Sequence, residues 1–215
     1  MTTATATAPL HLLAAAVAAP SPRLAPLPGF VESTFSPLVF EASRRCLDAH
    51  PVDGSRTAVV LASLMGDTTT ADLASRRLVA GRVHNPLLFM QATANSVLGY
   101  LSREFGITGQ QLSLSTFADP LAEALAMADV LLDEPGLDRV LVVGVELTGG
   151  ARVEAARAAL TDGPPPAQDD LAVAVLLGRD GGRIVPVPAG DPGPPGSLRS
   201  LLDLARTTAG GIDDR

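Results

Sequence analysis

Apolar runs and amphipathic stretches alternate along this chain, and their periods predict an order of strands and helices. Residues 10–18 are apolar and closed by Ala19-Pro20-Ser21-Pro22, which predicts a buried first strand, then a proline-rich loop to Pro28. Ser36 and Pro37 predict a helix over 36–49: the serine accepts an orphan N–H, the proline sits where none is needed, and His50-Pro51 closes it. Residues 57–63 (TAVVLAS) are rich in β-branched groups and predict a central strand. A second helix is expected from Asp67 or Thr70 to residue 80, with Leu73, Leu78 and Val79 inward, Arg76 and Arg77 toward water, and Gly81 as its stop. Residues 91–105 predict a third helix, with Ala94, Val97, Leu98 and Leu101 at helical spacing. Gly99 inside it costs up to about 1 kcal/mol against alanine, so close packing is expected there.

The second half continues the alternation. Leu112 and Leu114 alternate with Ser113 and Ser115, so 111–116 reads as a strand with two unlike faces. Asp119-Pro120 caps a helix to residue 132 built on Leu121, Ala124, Leu125, Ala128 and Leu131. Residues 139–145 (RVLVVGV) are apolar enough to be buried on both faces. A short arginine-rich helix over 151–160, a polar loop over 161–170 and a strand over 171–177 follow, and Gly181-Gly182 suggests a hairpin into 183–187. The predicted whole is an α/β layer fold with a mixed, mostly parallel sheet and flanking helices. Its expected divisions are a disordered start (1–9), one domain (10–187), and a Pro/Gly linker with a short helix from residue 197 to 208 (188–215).

Composition narrows the function. With 215 residues, 47% of them hydrophobic, the chain can bury one ordinary core. The net charge is −7 and all 16 basic residues are arginine, so no basic patch argues for nucleic acid, and Schiff-base or P-loop lysine chemistry is excluded. A single cysteine, Cys46, excludes an internal disulfide and a multi-cysteine zinc site, and suits a reducing cytoplasm. No apolar run approaches the roughly 20 residues that span a bilayer. The apolar start carries no basic residue before it, unlike a signal peptide. No cofactor motif is found: the glycines of GVELTGG, residues 144–150, lack the dinucleotide-binding order.

The densest pattern lies between residues 85 and 128. Pro86, Phe89, Asn95 and Gly99 are followed without a gap by Gly109, Thr116 and Ala118, and a segment VVLASLMGD precedes them at 59–67. This pattern resembles the N-terminal half of β-ketoacyl synthases, members of the thiolase superfamily, and above all their chain-length-factor-like relatives. The likeness implies half of a thiolase-like fold and places Ala118 where the family carries its nucleophilic cysteine. An alanine methyl cannot form a thioester. The family's histidines and lysine belong to a second half that follows this one, and His11, His50 and His84 do not replace them, so no catalytic residue is assigned.

The likeness further implies a non-catalytic subunit that pairs with an active β-ketoacyl synthase in polyene or polyketide assembly and meets the acyl carrier protein only indirectly. By family position, the segment from Leu87 to Met90 reaches into the partner's acyl tunnel, with Leu88, Phe89 and Met90 as gatekeepers of chain length. Asn95, Gly99, Gln111, Leu112, Ser113, Leu114, Ser115, Thr116 and Phe117 fall at the dimer interface. Plainer readings stand beside these. Asn95 can be a satisfied structural amide and Phe117 a plug in a dead pocket, while Arg44 and Arg45 flank a Cys46 that reads best as a structural thiol. Asp67, Asp72, Asp119 and Glu123 suit helix starts and exposed faces. Two other functions fit the same chain: a scaffold that recruits carrier protein or tailoring enzymes, and a repurposed acyl hydrolase or transferase.

Overall fold

The computed structural model describes residues 8–82, 87–117, 119–160, 169–185 and 197–208. In chain order the elements are β1 (His11–Ala18), α1 (Phe35–Ala49), β2 (Thr57–Ser63), α2 (Thr68–Val79), α3 (Leu87–Gln91), α4 (Asn95–Phe105), β3 (Gln111–Ser115), α5 (Pro120–Leu131), β4 (Arg139–Glu146), α6 (Ala151–Leu160), β5 (Leu171–Gly178), β6 (Arg183–Ile184) and α7 (Arg199–Thr208). The strands form one sheet in the order β3-β2-β4-β5-β1-β6. β2 pairs in parallel with β3 and β4; β5 runs antiparallel to β4 and β1, and β6 antiparallel to β1. Four strands therefore point one way and two the other, a mixed sheet flanked by helices.

Alternate residues of the central strands feed two cores. Val59, Leu61, Leu141, Val143, Ala174 and Leu176 face α1 and α4, meeting Leu38, Val39, Cys46, Val97, Leu98 and Leu101. Ala58, Val60, Val140, Val142, Val173 and Val175 face α5 and α7, meeting Leu121, Ala124, Leu125, Leu201 and Leu204. Covered on both sides, β2 is buried at every position, as its unbroken apolar run implies. α7 is seated directly on β4: a Cβ on Gly144 would lie 2.6 Å from a Leu201 methyl and 2.7 Å from a Leu198 methyl. The C-terminal helix is thus part of the core layer and not an exposed tail.

Several local expectations are corrected. α1 starts at Phe35, one residue early, and Ser36 is buried inside it; the flanking Thr34 makes no cap because its hydroxyl donates to Asp170 at 3.1 Å. On α2 the expected face is corrected in part: Leu73 is half-buried and Arg76 exposed as expected, but Leu78 and Val79 are exposed, whereas Thr68, Thr70 and Ala74 are buried behind the buried cap Asp67. Arg77 is half-buried and pairs with Glu32 at 3.3 Å. The helix expected over 91–105 starts later, as α4 at Asn95, and a separate short helix, α3, ends at Gln91 where it was expected to begin. Between them Thr93 donates its hydroxyl to the Met90 carbonyl at 2.9 Å and shares a hydrogen bond with Ser96, competing with helical bonding. Gly99 is exposed, and a Cβ there would meet nothing within 4 Å, so no packing among the described residues requires it. Gly181 and Gly182 do not make a β5–β6 hairpin: β1 occupies the edge of β5, so β6 pairs with β1 instead. The linker at 186–196 and the expected loop at 161–168 lie outside the described residues.

Candidate functional site

The ends of β2 and β3, the parallel pair, open into a cleft of about 440 Å³. Crevices beyond the carboxyl ends of parallel strands are where open α/β sheets bind ligands. One wall is the turn after β2, Ser63 to Gly66, which ends at Asp67. Asp67 is buried and accepts hydrogen bonds from the Thr70 N–H at 3.0 Å, the Thr70 hydroxyl at 2.7 Å and the Ser33 hydroxyl at 2.6 Å. Those bonds hold the turn rigidly as a helix cap. Opposite lie Ser113, Leu114 and Ser115 of β3, with Phe117 beyond them, while Ala92 and Ala94 from the α3–α4 junction and Ala156 of α6 complete the lining.

Among the described residues this lining is mostly apolar and carries no charged side chain. Of its three serine hydroxyls, Ser115 donates to the Leu64 carbonyl at 2.8 Å and Ser63 accepts from the Gly66 N–H at 3.1 Å, while Ser113 is exposed on β3. His11 lies at the sheet's opposite end, bonded to the Gly181 carbonyl, and His50 borders a separate pocket with Arg56 and Asp138. The described lining thus holds serine hydroxyls but no histidine, cysteine or carboxylate beside them. Among the described residues no cluster of His, Cys, Asp or Glu could hold a metal, and no helix is long and apolar enough to cross a membrane.

The interface and tunnel residues fall in distinct environments. Leu88 is buried in its own chain at 3% exposure, but Phe89 and Met90 stand out at 48% and 64%. Asn95 opens α4 and is exposed in the isolated chain. Phe117 is 58% exposed at the cleft's rim and does not fill it, contrary to the plug expected of it. Gln111 to Ser115 form β3 at the sheet's edge, and Thr116 is buried with its Oγ1 unpaired among the described residues. His84, Asn85, Pro86 and Ala118 lie outside the described residues. Cys46 packs against the sheet, and burial pushes its thiol up to about 12, so the nearby arginines do not activate it.

Sequence reasoning missed the groups around α6. Arg157 forms a buried ion pair with Glu146 at the end of β4, and burial pushes the Glu146 carboxyl up, an effect Arg157 partly opposes. A signal was present: Glu146 directly continues an apolar strand, and a buried carboxylate needs a partner. Asp170 was equally unforeseen. It accepts from the Thr148 N–H at 2.6 Å and the Thr148 hydroxyl at 3.0 Å, clamping the end of β4 beside β5.

No protein-family model matches the chain, and no curated protein matches it. Solved structures do. A complex of a ketosynthase (ApeO) with its chain length factor (ApeC) from Xenorhabdus doucetiae matches with TM-score 0.65 and 21% identity, over 81% of this chain and 80% of that one. The ishigamide ketosynthase/chain length factor matches with TM-score 0.64 and 15% identity, over 79% of this chain and 62% of that one. A type II PKS acyl-carrier protein in complex with its ketosynthase bound to the hexaketide matches with TM-score 0.59 and 14% identity, over 80% and 62%. The chain thus has the α/β fold found in ketosynthase and chain-length-factor complexes, spanning four fifths of the first matched chain and about three fifths of the other two.

Proposed function

We propose that the chain is a non-catalytic, chain-length-factor-like partner of a β-ketoacyl synthase in polyene or polyketide assembly, forming the subunit interface and the end of the acyl tunnel. One observation carries this reading. β3 ends the sheet with its outer side unpaired among the described residues, and exposed apolar groups stand on the elements around it: Met65, Leu87, Phe89, Met90 and Phe117. An open edge and large exposed apolar side chains favour association with another chain. β-Strand addition along β3 supplies backbone hydrogen bonds, and the apolar groups supply buried area. The solved complexes of the same fold join a ketosynthase to its chain length factor, which supports that choice of partner.

Ala118 at the family's nucleophile position and an uncharged cleft support a non-catalytic role. The tunnel would end between α3 and the cleft. Phe89 and Met90 are its gatekeepers, while buried Leu88 holds α3 in place. Asn95, Gly99 and residues 111–117 line the interface, with carrier protein engaged through the ketosynthase. Co-expression with a candidate ketosynthase, followed by size-exclusion chromatography with mass determination, tests the pairing. A stable heteromer supports it, and a monomer or homodimer that ignores the ketosynthase rejects it. Within a heteromer, Phe89→Ala is expected to lengthen the product with the complex intact; unchanged product length removes the gatekeeper role.

A further inference from the structure

We propose that α6 is a hinged gate over the cleft, swinging on Gly149–Gly150 and latched by two ion pairs. The hinge begins where the rigid part ends. Thr148 is clamped to Asp170 through both its N–H and its hydroxyl, and the same carboxylate takes the Thr34 hydroxyl, so β4's end is tied to β5 and α1. Gly149 and Gly150 follow with φ of +80° and +134°, a backbone region that other residues rarely adopt, and with open space around both. Beyond them α6 buries only Val153 and Arg157 of its ten residues, whereas α1 buries nine and α5 six. One valine is a small apolar anchor for a helix too short to be stable alone.

Polar contacts supply the remaining hold. Arg157 reaches down to buried Glu146, which also accepts the Leu198 N–H, and Arg152 meets Asp72 of α2 at 2.5 Å as an ion pair without hydrogen-bond alignment. Because such pairs exchange one set of charge contacts for hydration, they suit a contact that opens and recloses better than a packed apolar face does. Ala156, one residue before the latch, forms part of the cleft wall. Movement of α6 therefore widens or closes the cleft. That the gated occupant is an acyl chain rests on the tunnel reading above; the hinge and latch do not.

Hydrogen exchange read by mass spectrometry on the wild-type protein alone tests the gate. Amides of 151–160 are expected to exchange at least about 100-fold faster than those of β4 and β5, as a separate opening unit. In parallel, A156C places a thiol in the cleft wall, with buried Cys46 silent toward iodoacetamide. Asp72→Asn, which releases only the outer, partly exposed ion pair, is expected to raise labelling of that thiol about threefold without speeding exchange in β4 and β5. If the variant does not fold, wild-type exchange still decides the matter. Exchange of α6 in step with β4 and β5, or labelling unmoved by Asp72→Asn in a folded protein, overturns the gate. Neither readout involves a ketosynthase, so failure of the gate and failure of the partner reading are separable.

Discussion

Replacing Gly99 separates the chain's own stability from its fit to a partner. Gly99 lies inside α4, is exposed, and has no atom within 4 Å of where a Cβ would stand. An alanine there loses nothing to packing within the chain and gains helix propensity, about 0.5–1 kcal/mol. For a domain of this size that gain raises Tm by roughly 1–4 °C. Leucine, nearly alanine's equal as a helix former, stabilises the isolated chain by a similar amount while placing a branched side chain where a partner's surface would approach. Gly99→Ala and Gly99→Leu are therefore expected to melt above wild type as isolated proteins, and Gly99→Leu to bind the ketosynthase at least about tenfold more weakly, the equivalent of 1.4 kcal/mol. Thermal denaturation and titration calorimetry read the two quantities. If Gly99→Ala destabilises the isolated chain, the open surroundings of Gly99 have been misjudged. If Gly99→Leu binds at wild-type strength, this face of α4 is not the interface.

Three further outcomes follow from the interior. Arg157→Met leaves Glu146 buried without its cation and should cost about 3–5 kcal/mol at neutral pH. Burial already holds the folded-state carboxyl above its ordinary value, and loss of Arg157 raises it further. The deficit is therefore largest above that raised pKa and shrinks as pH falls toward the unfolded value; urea unfolding at pH 5 and pH 8 checks the sign. Gly144→Ala drives a methyl into Leu198 and Leu201 and should cost about 1–3 kcal/mol, and Leu201→Ala in the same chain should relieve part of that cost in a double-mutant cycle. Additive losses would show that α7 is not seated on this glycine. Cys46, with its pKa pushed up to about 12, should resist iodoacetamide until the protein unfolds, so labelling across a urea series should follow the unfolding curve; labelling ahead of that curve would contradict its burial.

The local pattern of the sequence determines much of this protein. The run over 57–63 and the Asp119-Pro120 start give their elements directly, since an unbroken β-branched run and an aspartate–proline cap each satisfy the backbone in one dominant way. The α/β class and the two unlike faces of β3 are also legible, the latter because Leu112 and Leu114 alternate with Ser113 and Ser115. What remained hidden depends on distant partners. The face of α2 turns on a hydrogen bond from Ser33, 34 residues away, and the partner of β6 on a first strand lying beside β5. Apolar periodicity shows that residues will be buried, but not against what. Only the tertiary structure could decide that Leu88 is inside while Phe89 and Met90 are outside, that Phe117 rims an open cleft, and that Arg157 meets Glu146, because each depends on side chains brought together by the folding of the whole chain.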